Sequence, residues 1–210
     1  MTLNRREPFR FLDPDATLEI SGATKNAEII LNSARTILLR GVPKFSVADV
    51  VRMTGLSRAT IYNYFGDRDA LLAAVIQWAV DCYHREITHA MRRHTTLLEQ
   101  AVEAIVFTRQ WRITEEAVRW GGFLSDAERA LLFTRDARVR LEEGIRTFSP
   151  FIREAGDRGE IRQNVNVEHA AEWLARIVGS FAAQPGVGFD HDSLDSVRDF
   201  VRPFILDGMR

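Results

Sequence analysis

One cysteine, Cys82, stands alone in the 210-residue chain, which excludes a disulfide framework and any zinc site built on paired cysteines. Eighteen consecutive apolar residues occur nowhere, so no membrane-spanning helix is expected. The opening residues, MTLNRREPFRFLDPD, lack the apolar core and cleavage site of a secretory signal, and the expected setting is the cytoplasm. Neither sign of charge dominates: 28 Lys and Arg against 29 Asp and Glu leave a net charge of −1. Catalytic signatures are missing as well. There is no G-x-S-x-G, P-loop, G-x-G-x-x-G or H-E-x-x-H, so an enzyme and a bound cofactor are not expected. His84, His89 and His94 are spaced by five, which turns each about 140° from the last on a helix and argues against a shared metal. Cys82 itself reads as a small buried apolar residue.

What the chain does have is 46% hydrophobic residues, enough for a sizeable core, arranged with helical rather than alternating period. Residues 1–23 contain two prolines and no clear period, and they read as a flexible arm whose Arg5, Arg6 and Arg10 are offset by four acidic residues. From Thr24 onward Ala27, Ile30, Ala34, Ile37 and Leu38 mark an amphipathic helix closed by Gly41 and Pro43. Ser46 caps a short helix, VADVVRMT, which stops at Gly55; Ser57 caps another, RATIYNYF, which stops at Gly66. Asp67 begins a fourth that continues toward residue 93. Helical segments follow at 97–111, 115–120, 126–133, 138–156 (kinked at Pro150), 167–183, and from 194 to a bend at Pro203. The expected fold is all-α, with a helix-turn-helix domain over 24–70 and a larger helical domain over 71–210.

Charge is distributed unevenly over those parts. Residues 24–68 carry seven basic and three acidic side chains, while 69–210 carry 18 basic and 22 acidic. A basic segment joined to an acidic remainder suits a part that meets a polyanion. Within it, Met53-Thr54-Gly55-Leu56-Ser57 has the form of a helix-turn-helix turn, in which Gly55 supplies a positive φ at no steric cost. The following helix would project Arg58, Ala59 and Thr60 toward base edges, where Arg suits guanine and Thr a thymine methyl. Lys44, Ser46, Tyr62 and Arg68 suit phosphate contacts.

The ordered set Ile29-Ile30…Ala34…Leu38…Gly41, then F-S-V-A-D-V-V before Gly55-Leu56-Ser57, then A-T-I-Y-N-Y-F-G-D-R-D-A-L-L, closely resembles the N-terminal domain of the TetR family of transcriptional regulators. Arg68 stands where that family usually has Lys. The resemblance implies a homodimer that binds a palindromic DNA operator, represses transcription and responds to a small-molecule effector held in its C-terminal domain. By position, Ser46, Arg58, Ala59, Thr60, Tyr62, Asn63 and Arg68 would face DNA. Aromatic residues of the middle helices, among them Trp78, Phe107, Trp111, Trp120, Phe123 and Phe148, would line a pocket for a hydrophobic or amphipathic effector, with Glu103, Arg109 and Arg112 to orient it. In the last two helices Ala171, Leu174, Ala175, Val178, Gly179 and Ala182, with Val197, Val201 and Phe204, would pair with a second copy. The alternative reading is a constitutive dimeric DNA-binding protein with no ligand switch.

Overall fold

The computed structural model describes residues 9–41, 45–117, 137–184, 186–191 and 193–208. Every regular element among them is helical. A 3-10 turn (Arg10–Leu12) precedes α1 (Lys25–Leu39), α2 (Val47–Thr54), α3 (Arg58–Phe65), α4 (Arg68–Met91), α5 (Leu97–Ala117), α6 (Ala137–Asp157), α7 (Val167–Ala183) and α8 (Leu194–Arg202), and a π-helical turn (Pro203–Asp207) follows. Side-chain caps start most of them: Thr24, Ser46, Ser57, Asn166 and Ser193 each accept from the backbone N–H three residues on. The expected break after Trp111 does not occur, because nothing between Trp111 and Ala117 is a glycine or proline. α6 likewise runs through Pro150, which removes one ladder bond without ending the helix. The segment expected to be helical at 126–133 lies outside the described residues.

The chain divides into two compact units, Arg6–Tyr83 with Ile113–Leu131, and His84–Arg112 with Met1–Arg5 and Leu132–Arg210. The division falls inside α4, not at residue 70 where the sequence places it. The first part of α4 belongs with the helix-turn-helix because Leu71, Val75 and Trp78 are buried on that side of the division.

In the N-terminal unit the arm is not loose over its described part. Phe9, Phe11 and Leu12 are buried, and residues 9–20 run back along α1 as a strap. Arg40 pairs with Asp15 at 2.9 Å, and Thr36 Oγ1 donates to the Pro14 carbonyl. Asn32 both donates to the Leu18 carbonyl and accepts from its N–H, and Glu28 accepts from the Ile20 N–H. These side chains fall at steps of about four along α1, so one face of the helix is given over to holding the strap. At the centre is Arg35, fully buried. Its Nη1 donates to the carbonyls of Phe11 (2.6 Å) and Asp13 (2.8 Å), and its Nη2 to that of Ala16. The guanidinium lies 5.6 Å from the Phe11 ring and 5.9 Å from that of Trp78, and these two rings meet edge to face at 5.2 Å. Burial draws the Arg35 pKa below its ordinary value, with Asp13 opposing the shift.

In the C-terminal unit α6 and α7 pack closely. Gly144 permits this: a Cβ there would stand 2.8 Å from the Ala175 Cβ. The small-residue stripe expected to meet a second copy is therefore turned partly toward α6 of its own chain. Ala171, Leu174, Val178, Val197 and Val201, expected at a dimer interface, are buried within the single chain. Their apolar side chains fill the core of their own unit. Among the described residues nothing lies within 4 Å of a Cβ built on Gly179, and Phe200 and Phe204 are 44% and 57% exposed. The side chain of Ala182 lies outside the described residues. Arg198 of α8 holds Glu99 of α5 through two bonds, Nε to Oε1 at 2.7 Å and Nη2 to Oε2 at 3.1 Å. That contact keeps the Glu99 carboxyl below its ordinary pKa, so it stabilises the unit above the usual carboxylate range and fades on acidification.

The strap yields a stability prediction. Arg35→Ala leaves three inward carbonyls without their donor, each costing about 1–3 kcal/mol, and removes packing under two rings. Urea unfolding of the full chain should show a loss of about 3–5 kcal/mol, whereas a loss below about 1 kcal/mol would mean the strap is held by its apolar residues alone.

Candidate nucleic-acid interface

The helix-turn-helix is assembled from local chemistry. α2 ends at Gly55, whose φ of 71° is left-handed and whose N–H bonds to the Val51 carbonyl. Thr54 Oγ1 donates to the Val50 carbonyl and accepts from the Leu56 N–H, which fixes the turn. Ser57 Oγ then accepts from the Thr60 N–H at 3.0 Å and starts α3. α3 is short and keeps one side chain, Ile61, fully inside. Gly66, at φ 79°, ends it.

This geometry brings Arg58, Ala59, Tyr62 and Asn63 to the exposed side of α3. Among the described residues Arg58 makes no hydrogen bond or ion pair, so its donors are free for an incoming acceptor. Thr60 differs from expectation: it is half-buried, and its hydroxyl lies 2.8 Å from that of Ser57. Its place in the first turn, beside the cap, explains this. Ser46 is likewise occupied at its own cap, with its hydroxyl 2.6 Å from the Asp49 carboxylate, which in turn pairs with Arg52. Arg68 is turned toward the Phe45 carbonyl and Asp69. Lys44 lies outside the described residues. Tyr64 is 41% exposed on α3 beside Tyr62 at 39% and was missed by the sequence reading. Its signal was present: Ile61 and Phe65 are the apolar pair spaced by four, which leaves Tyr64 off the inward face.

The excess of basic charge over 24–68 is thinner than a count suggests. Arg35 is buried, and Arg40 and Arg52 are paired with Asp15 and Asp49. Arg58, exposed on α3 with Tyr62, Tyr64 and Asn63, has no such acidic partner among the described residues.

Residues 29–75 match the family model for bacterial regulatory proteins of the tetR family. The match spans the helix-turn-helix and the first part of α4. The chain is similar to the HTH-type transcriptional regulator BetI of Rhizobium meliloti (strain 1021), 26% identical over 125 residues. That match covers 55% of this chain and 62% of the relative, short of two thirds of its length. A crystal structure described as that of a TetR-family transcriptional regulator from Rhodococcus sp. aligns with 89% of this chain and 99% of its own, at 17% identity and a TM-score of 0.46.

The C-terminal candidates are distributed differently from expectation. Trp78 lies buried in the N-terminal unit against Phe11 and Arg35. Phe107 and Trp111 stack at 6.2 Å in α5, and with Phe148 they are buried. Trp120 and Phe123 lie outside the described residues, as does the side chain of Arg112. Glu103, expected to orient an effector, is buried and bound by Arg93 at 3.2 Å and His94 at 3.4 Å. A cavity of about 300 Å³ between the end of α6 and the start of α7 is lined by Ile152, Arg153, Asp157, Ile161 and Val167 and contains none of these aromatics.

Proposed function

We propose that the chain is a cytoplasmic transcriptional repressor, not an enzyme, which binds a palindromic operator in double-stranded DNA as a homodimer and leaves it when a hydrophobic or amphipathic small molecule binds. The observation that carries the DNA reading is α3 itself: a capped helix whose exposed side presents an unpaired arginine, Arg58, with Ala59, Tyr62 and Asn63. An arginine at the start of a recognition helix can take guanine O6 and N7 together, while Tyr62 reaches phosphate. Arg58→Ala should therefore weaken operator binding by about 1–3 kcal/mol and relax preference at one base pair per half-site. Selection from a random duplex library with both proteins measures this, and an unchanged preference would remove Arg58 from base reading.

The homodimer is supported by what the last two helices leave uncovered. Phe200 and Phe204 stay exposed, Phe189 stacks on Phe200 at 4.2 Å, and Gly179 is open beside Arg176 on the outer side of α7. Because a Cβ at Gly179 has nothing within 4 Å among the described residues, Gly179→Trp should fold and yet sediment as a monomer where the wild type sediments as a dimer at micromolar concentration. A monomeric wild type would remove the reason to expect a palindromic site.

The effector switch is supported by α4, which is continuous across the division between the units. The constitutive alternative is favoured by one observation, the burial of Phe107, Trp111 and Phe148 as ordinary core. Linkage separates them: a ligand that releases DNA must bind more weakly in the presence of operator, by the same factor, and coupling of about 1–3 kcal/mol is typical. Titrating a hydrophobic ligand found by screening, with and without operator duplex, gives two dissociation constants. Equal values would select the constitutive reading.

A further inference from the structure

Arg68 opens α4, and in the sequence it reads as a phosphate contact. In the structure its Nε donates to the Phe45 carbonyl at 3.0 Å, its Cζ lies 5.9 Å from the centroid of the Phe45 ring, and its Nη1 meets the Asp69 carboxylate at 2.6 Å. Phe45 is 1% exposed and immediately precedes Ser46, the N-cap of α2. Asp67 Oδ1 accepts from the Ala70 N–H at 2.7 Å, so the first turn of α4 is closed on its own side. One side chain thus joins the start of α4 to the start of α2. The Arg68 side chain is still 45% exposed, so its charge also remains within reach of a phosphate.

We propose that Arg68 is a positioning residue, a brace that sets where α2, and through the Gly55 turn the recognition helix α3, stands against α4. The inference rests for its DNA readout on the operator-binding reading. Phosphate contact needs charge alone, which lysine supplies. The brace needs a planar fork that lies on a ring, donates sideways to a carbonyl and holds a carboxylate, which an ammonium cannot reproduce. The two roles therefore separate at Arg68→Lys.

The experiment compares full-length wild type, Arg68→Lys and Arg68→Ala in two measurements. Amide hydrogen exchange without DNA reads the α2 amides from Asp49 to Thr54. Binding to a duplex selected from a random library, over a series of KCl concentrations, reads affinity and its salt dependence. We expect both variants to exchange at least about tenfold faster over α2 with α1 unchanged, each tenfold being about 1.4 kcal/mol of opening free energy. Both should lose operator affinity to a similar extent, with the wild-type salt slope retained. If Arg68→Lys instead exchanges and binds like the wild type, while Arg68→Ala weakens binding to every duplex and lowers the slope by about 0.9, Arg68 is a phosphate contact and the brace is wrong. If the wild type shows no salt-dependent duplex binding, the operator reading fails on its own. Exchange over α2 then decides the brace, and unchanged exchange in Arg68→Lys overturns it. Should Arg68→Ala melt far below the wild type, the lysine variant alone carries both comparisons.

Discussion

A guanidinium taken out of water governs the N-terminal unit. Stripping Arg35 of its hydration is costly, and its two terminal nitrogens recover acceptors in the backbone carbonyls of the strap, at Phe11, Asp13 and Ala16, while Nε is buried without one. Carbonyls from three nearby residues can converge on one group only if the chain curls around it, and the 3-10 turn at Arg10–Leu12 provides part of that curl. Phe11 and Trp78 then close over the charge, which brings α4 into the same knot as α1 and the strap. Remove the charge and three elements lose a common centre.

The reading helix depends on these neighbours because it has little of its own to stand on. α3 is two turns long, too short to be stable in isolation, and Ile61 is its one fully buried side chain. Its direction is set from outside: by the left-handed Gly55, by the Ser57 cap, and by α2, whose own start is tied to Arg68. A surface that presents Arg58 and Tyr62 at defined angles is thus the outer end of a chain of contacts beginning in the core of the unit.

Helix starts were largely legible in the sequence because a cap is a local device. Thr24, Ser46, Ser57, Asn166 and Ser193 each satisfy an N–H three residues away, and no distant residue is needed to foresee that. The helix-turn-helix was legible for the same reason, as were Arg58, Ala59, Tyr62 and Asn63 on α3, but not the inward turn of Thr60 or the exposure of Tyr64. The strap was not: its partners lie 8 to 25 residues ahead, and its bonds use backbone groups that carry no periodicity. Nor could spacing say which helix an apolar face would meet. Leu174 and Val178 look the same on paper whether α6 or a second copy covers them, and Ala175 gained its meaning only through Gly144. Charge counting failed in the same way, since it scored Arg35 as a surface cation when the fold had buried it.

The means by which the strap is attached has a consequence for how the protein behaves in concentrated electrolyte. Apart from the Arg40–Asp15 pair, its polar attachments run between side chains and neutral peptide dipoles, and the charge at its centre is sealed from counterions. Screening acts on exposed charges separated through solvent and leaves such short, dry contacts nearly untouched. The N-terminal unit should accordingly keep its shape while rising ionic strength strips ligands of opposite charge from its surface, so that dissociation by salt would report the outer face of the unit and not its unfolding.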